Sequence, residues 1–325
     1  MIARCLFLLA ALLCRPALAG EVGFTTVQVP DPPGEDLAVG IWYPTEQAAT
    51  PHRLDLYTQT VAADAAIAGT GHPLVVMSHG TGGSYAGHYD TALALARAGF
   101  VVAAMTHTGD NYRDTSRVTR LSDRPRAMHA AIGYMLAGWD GHAAIDASRV
   151  GVFGFSIGGF TALVASGGIP DLGTITPYCA THPQTYVCDV VRSHGVAAVE
   201  PGSAPAWVAD SRIRAAVVAA PALGFSFAPA GLARVTIPVQ LWQAGDDHIL
   251  PAPDYAEPVR AALPDPPEFH FVAGADHFDF LAPCSAALAG AVPAICQEHG
   301  GFDRAAFHQA FNAEVVRFFR KTIGF

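Results

Sequence analysis

Val150-Gly151-Val152-Phe153-Gly154-Phe155-Ser156-Ile157-Gly158-Gly159 decides the fold of this chain. Its first four residues read as a buried β-strand, and residues 160–165, Phe-Thr-Ala-Leu-Val-Ala, continue as a helix. Between them stands the pattern Gly-x-Ser-x-Gly, which forms a sharp strand-to-helix turn with an exposed serine hydroxyl. The spacing follows from sterics and charge. The serine backbone is strained, glycines two residues away on either side relieve the crowding, and the next amide points to where an oxyanion forms. The N-terminus of the helix adds a favourable dipole for that charge. Ser156 is therefore the candidate nucleophile and the Ile157 amide a candidate oxyanion donor.

Outward from this turn, short β-rich runs alternate with helical stretches, the pattern of a mainly parallel sheet covered on both faces. Strands are expected at residues 25–29, 37–43 (ending at Pro44), 74–77, 100–105, 215–219, 239–242 and 269–272. Helices are expected at 85–98, 126–136 and 304–320. The last carries Phe307, Phe311, Val315, Phe318 and Phe319 on one face, a stripe suited to core packing. Between residues 165 and 212 the alternation fails. That segment, rich in Gly, Pro and Thr, reads as an insertion or lid-like segment near the mouth of the site.

A serine hydroxyl is a weak nucleophile without a general base. In α/β folds with this turn the order along the chain is serine, acid, histidine. His277, in Gly274-Ala275-Asp276-His277-Phe278, follows the strand at 269–272 and is the expected base. His79, His129, His248, His299 and His308 fit less well by position. The acid is expected after the strand at 239–242, where Gly245-Asp246-Asp247-His248 offers two carboxylates. Asp276 and Asp279 flank the base and read as local hydrogen-bonding groups. The second oxyanion donor is expected from Ser78-His79-Gly80-Thr81-Gly82-Gly83, where two glycines let the backbone approach a substrate and the Thr81 amide lies between them. A phosphate-binding loop would end in Gly-Lys-Ser/Thr, which this one does not. His107 and Asp110, after the strand at 100–105, read as ties for the loop.

The chain has 325 residues, 51% of them hydrophobic and 14% charged, enough for a large core. Its net charge is −9, and Lys321 is its only lysine. Such a surface offers no broad basic patch, so neither nucleic acid nor an anionic membrane is an expected partner. Arg4, the apolar run from Cys5 to Leu13, and Ala17-Leu18-Ala19 read as an export signal over residues 1–19, leaving a domain at 20–325. Four cysteines remain in that domain, and the close-spaced pairs Cys179 with Cys188 and Cys284 with Cys296 are the simplest disulfides in an oxidising compartment. Neither Cys-x-x-Cys nor His-Glu-x-x-His occurs, so no metal site is expected.

Taken together, the 78–83, 154–159 and 274–280 motifs resemble the α/β-hydrolase superfamily. More narrowly, the chain is similar to the dienelactone hydrolase-like group and its branch of platelet-activating-factor acetylhydrolase-like serine hydrolases. The resemblance implies a cofactor-independent enzyme acting on esters or lactones. In related sequences the acid stands four residues before a proline, which favours Asp247, four before Pro251, over Asp246. Two departures narrow the resemblance. Dienelactone hydrolases use a cysteine where this chain has Ser156. Plasma-type acetylhydrolases carry the acid after the preceding strand, where this chain has Ala219-Ala220-Pro221. Asp247 instead occupies the place of the acid in bacterial cutinase-like polyester hydrolases. The expected activity is cleavage of short-chain esters, lactones or polyesters through Ser156, His277 and Asp247. An amidase, a peptidase, a thioesterase or a non-catalytic binding protein on the same fold are the alternatives.

Overall fold

A computed structural model describes residues 20–31, 35–195, 207–297 and 300–324. The proposed signal at 1–19 and part of the 165–212 segment lie outside the described residues. The strands are β1 (Glu21–Val29), β2 (Leu37–Thr45), β3 (Thr50–Leu54), β4 (Tyr57–Ala63), β5 (His72–Ser78), β6 (Val101–Thr106), β7 (Ile145–Phe155), β8 (Ile213–Ala219), β9 (Val239–Ala244) and β10 (Glu268–Val272). The helices are α1 (Tyr89–Arg97), α2 (Asp123–Ala137), α3 (Ile157–Ala165), α4 (Ile175–Thr181), α5 (Tyr186–His194), α6 (Pro229–Leu232), α7 (Ala256–Ala262), α8 (Ala286–Ala291) and α9 (Arg304–Ile323).

The strands form one sheet in the order β10-β9-β8-β7-β5-β6-β2-β1-β4-β3. From β10 to β6 every neighbouring pair is parallel, and β2 joins β6 antiparallel. The parallel strands read as continuous apolar runs because both of their faces are covered. In β5 the residues His72–Ser78 are all buried, and alternate side chains serve opposite cores. Leu74 and Val76 join a cluster with Met128 and Ile132 of α2 and Phe160 of α3. Val75 and Met77 join a cluster with Leu93 of α1 and Phe311, Val315 and Phe319 of α9. This is the α/β-hydrolase architecture, mainly parallel and flanked by helices.

Three local differences from the sequence expectations have physical causes. β2 does not end at Pro44 but runs to Thr45, pairing Pro44 with Val22 of β1. Helix α1 begins at Tyr89 rather than at residue 85, because residues 84–88 form turns closed by the bonds Gly87 N–H to Ser84 O and Tyr89 N–H to Ala86 O. The β3–β4 hairpin was not anticipated. It lies at the sheet edge, where polar Thr, His and Arg residues and Pro51 are tolerated and the alternation of apolar residues is weak.

Both expected disulfides are present. Cys179 and Cys188 join α4 to α5, and Cys284 and Cys296 close a loop ahead of α9. Among the described residues, no helix is long and apolar enough to cross a membrane.

Candidate active site

Ser156 sits between the end of β7 and the start of α3 with φ 57° and ψ −122°, a conformation that a non-glycine residue adopts only under restraint. Three backbone bonds supply the restraint: Ser156 N–H donates to Ala219 O at 2.9 Å, while Ser156 O accepts from Ala222 N–H and Gly159 N–H, each at 2.9 Å. The flanking glycines are required by close approach. A Cβ on Gly154 would lie 1.9 Å from Gly158 O, and one on Gly158 would lie 2.0 Å from Ser78 O. The turn is thus pressed against itself and against the end of β5.

His277 opens a short 3-10 turn after β10, and its ring is buried. Its Nδ1 lies 2.8 Å from Asp247 Oδ2, and its Nε2 lies 3.0 Å from Ser156 Oγ. A carboxylate only accepts, so Nδ1 carries the proton and donates, leaving Nε2 free to accept from the serine hydroxyl. Asp247 is held in turn: its Oδ1 accepts the amides of Ile249 at 2.9 Å and Leu250 at 2.6 Å. Asp246, its neighbour, is exposed and touches the site only through its backbone N–H, which donates to Ala275 O. The structure therefore brings Ser156, His277 and Asp247 into one buried hydrogen-bonded line.

The turn bearing His277 has its own supports. Asp276 caps it, accepting His277 N–H at 2.7 Å and His248 N–H at 2.9 Å. Burial pushes the Asp276 carboxyl up, but these bonds and the nearby His248 outweigh that and hold it below its ordinary value. Asp279 accepts Asp276 N–H at 2.8 Å and Arg304 Nε–H at 3.0 Å. His308 of α9 donates from Nε2 to Asp279 O at 2.9 Å and contacts Asp90 of α1 at 2.7 Å through Nδ1. Asp276, Asp279 and His308 thus serve the fold around the histidine, without touching Ser156.

The loop after β5 passes beside the serine: a Cβ on Gly80 would come 3.2 Å from Ser156 Cβ. Gly82 N–H donates to Asp110 Oδ1 at 3.0 Å, and no bond to another described residue engages the Thr81 amide. The Ile157 amide is the first of α3 and has no partner within the helix. Neither amide is thus committed to a partner among the described residues.

Beneath this loop lies a buried polar cluster that sequence reading reached only in part. Arg124 of α2 donates to Asp110 Oδ2 at 2.6 Å, to Thr161 Oγ1 at 3.2 Å, and to His79 O. His79 Nε2 accepts His107 N–H at 3.0 Å, so its Nδ1 donates to Gly80 O at 2.6 Å. Burial, with the Arg124 charge adding to it, drives both His79 and His107 well below the ordinary imidazole value, and both are neutral. Asp110 and His107 could be picked out as loop ties by their position after β6. Arg124 carried no such signal, because its partners lie on three other elements.

An apolar cavity of about 70 Å³ opens against Ser156 and Ile157. Its walls come from the loop after β6, from Leu223 and Leu250, and from α5, which lies within the 165–212 segment.

Comparison with known proteins agrees with this architecture. A family profile described as platelet-activating factor acetylhydrolase, isoform II, matches residues 42–129, the stretch from within β2 into α2 that includes the Thr81 loop. No curated protein matches the chain in sequence. Among solved structures, a ferulic acid esterase from Streptomyces cinnamoneus superposes with a TM-score of 0.62 at 21% identity, covering 95% of this chain and 92% of that one. The chain has the α/β-hydrolase fold with a serine at its strand-to-helix turn, and over residues 42–129 it resembles the platelet-activating factor acetylhydrolases.

Proposed function

We propose that this protein is an exported serine esterase that cleaves carboxylic esters through an acyl-enzyme. The observation that carries this reading is the continuous line from Ser156 Oγ through His277 to Asp247 Oδ2, at 3.0 and 2.8 Å, beside an apolar cavity. The similarity to acetylhydrolases and to a ferulic acid esterase supports ester chemistry in particular. Two disulfides support an oxidising compartment.

In the mechanism, Ser156 Oγ attacks the ester carbonyl carbon as its proton passes to His277 Nε2. Asp247 fixes the ring orientation and stabilises the imidazolium. The carbonyl oxygen becomes an oxyanion held by the Ile157 and Thr81 amides, reinforced by the N-terminus of α3. Collapse breaks the bond to the alcohol oxygen, which takes the proton from His277 Nε2. Water then enters, gives a proton to His277 and its oxygen to the acyl carbon, and a second collapse returns the proton to Ser156 and releases the acid. The rigid Ser156 backbone keeps the hydroxyl in place without reorganisation at each turnover.

A panel of p-nitrophenyl esters from acetyl to palmitoyl, with matched anilides and thioesters, tests the reading in wild type, Ser156→Ala and His277→Ala. Esters are expected to be the best substrates, with kcat falling on the order of a million-fold in either variant. Ester turnover that survives Ser156→Ala would overturn the assignment, and preference for the anilide would make the protein an amidase.

A further inference from the structure

Helix α5 is an unusual element in this fold. Of its residues Tyr186–His194, only Cys188 is fully buried, and Tyr186 is 39% exposed. It is held by a staple as well as by Val187 and Val191, which are partly buried against the main core. Cys188 is bonded to Cys179 at the end of α4, and α4 is anchored firmly: Ile175 is buried, and Tyr178 stacks on Phe225 at 3.9 Å and donates to Tyr255 Oη at 3.1 Å. The apolar side chains of α5 are Tyr186, Val187, Val190 and Val191, which share one helix face and all line the cavity at Ser156. Asp189 and Arg192 pair with each other on the opposite, solvent-facing side.

We propose that α5 is the acyl-selecting wall of the site, that the pocket takes unbranched apolar acyl groups of medium length, and that the Cys179–Cys188 bond sets its width. This rests on the reading of Ser156 as an esterase nucleophile. The side of the ester follows from chemistry. The leaving oxygen must receive its proton from His277 Nε2, so the alcohol lies beside the histidine. His277 is not among the residues lining the cavity, whereas Ser156 and Ile157, which hold the acyl carbon and the oxyanion, are. The cavity is therefore on the acyl side. Beside α5 it is lined by Val118, Leu121, Leu223 and Leu250, so it offers an acyl chain little but aliphatic contact. Its volume of about 70 Å³ has room for on the order of five water-sized groups, taking roughly 10–15 Å³ for each. Butyryl to hexanoyl chains match that room. Acetyl leaves part of it unfilled, and longer chains exceed it.

The test uses the full-length protein and two ester series, one varying the acyl group from acetyl to decanoyl on a fixed alcohol, the other varying the alcohol on a fixed butyryl group. Wild type is expected to peak between butyryl and hexanoyl. Val190→Trp is expected to lower the ratio of kcat/KM for hexanoyl over acetyl by about tenfold, the scale set by a few methylenes in an apolar pocket. Val190→Ala and the double variant Cys179→Ser/Cys188→Ser are expected to move the optimum to longer chains. Asp189→Trp, an equally bulky change on the outer face of α5, is expected to leave the acyl profile where it was. Labelling of Ser156 by a fluorophosphonate reports that each variant is folded. If Ser156-dependent turnover is present but the Val190 variants keep the wild-type acyl profile, or change the alcohol profile instead, the acyl wall is wrong and the esterase reading stands. If Ser156→Ala retains full turnover, the esterase reading itself fails and the acyl wall with it.

Discussion

Arg124 and Asp110 form an ion pair at 2.6 Å with both side chains only 3% exposed, and between them they hold three separate groups around the serine turn. Asp110 binds the Gly82 amide, while Arg124 binds His79 O and Thr161 of α3. The pair ties the Thr81 loop to α3, the helix that follows Ser156. Removing one partner leaves a buried charge unmatched, at a cost of about 3–5 kcal/mol. Arg124→Met is therefore expected to lower the denaturation midpoint sharply, and to reduce kcat more than it raises KM. Arg124→Lys is expected to rescue little, since an ammonium cannot reproduce the planar fork that reaches three partners. Chemical denaturation and ester kinetics on the same samples check both.

The two adjacent aspartates after β9 are expected to behave differently. Asp247→Asn removes the acceptor that fixes the His277 tautomer, and a loss of about 10,000-fold in kcat is expected. Asp246→Asn changes an exposed side chain and is expected to leave kcat/KM close to wild type. Steady-state kinetics at one pH separates them.

Acid is expected to destabilise the fold through its buried histidines. His88, wedged edge-on against Phe153 and Phe155, is pushed down to about 3 by burial, and His79 and His107 are depressed in the same direction. All three are neutral in the folded state near neutrality, and an unfolded histidine protonates near pH ~6.5. Below that pH the unfolded chain binds more protons than the folded one, so stability present above ~6.5 is lost as pH falls. For His88 the loss continues down to about 3. Denaturant midpoints measured between pH 7 and 4 are expected to decline, and His88→Phe to reduce the slope by up to about 1.4 kcal/mol per pH unit.

Gly154 and Gly158 admit no side chain, because the obstacle at each is backbone. Overpacking a core with flexible neighbours costs about 1–3 kcal/mol. Here a Cβ would lie 1.9 or 2.0 Å from a carbonyl oxygen that cannot rotate away. Gly158→Ala and Gly154→Ala are expected to exceed that cost and to displace the Ser156 turn. A lower melting temperature together with lost fluorophosphonate labelling is the measurement.

The Cys284–Cys296 bond closes a short loop ahead of α9, beside Arg304, which supports the His277 turn. Replacing both cysteines by serine is expected to cost about 2–4 kcal/mol by freeing the unfolded chain. Because this loop does not line the cavity at Ser156, the acyl profile is expected to stay as in wild type. Calorimetry and the ester panel check the two halves.

Local order along the chain was enough to recognise the α/β alternation, the serine turn and a histidine after the last strand. Each depends on a few neighbouring residues whose backbone requirements are encoded on the spot: glycines where carbonyls press close, β-branched runs where both sheet faces are covered. The cysteine pairs were legible for the same reason, being close in sequence. What the local pattern did not contain was decided by groups meeting from distant elements. Asp246 and Asp247 are neighbours of one chemistry, and only the loop conformation turns one carboxylate to His277 and the other to water. Arg124 lies ahead of the helix expected at 126–136 and carried no signal until α2, which begins at Asp123, packed it against the loops after β5 and β6. Helix α5 carries a helical apolar spacing at Tyr186, Val187, Val190 and Val191, but that this face borders a cavity beside Ser156 was decided only by the packing of distant elements.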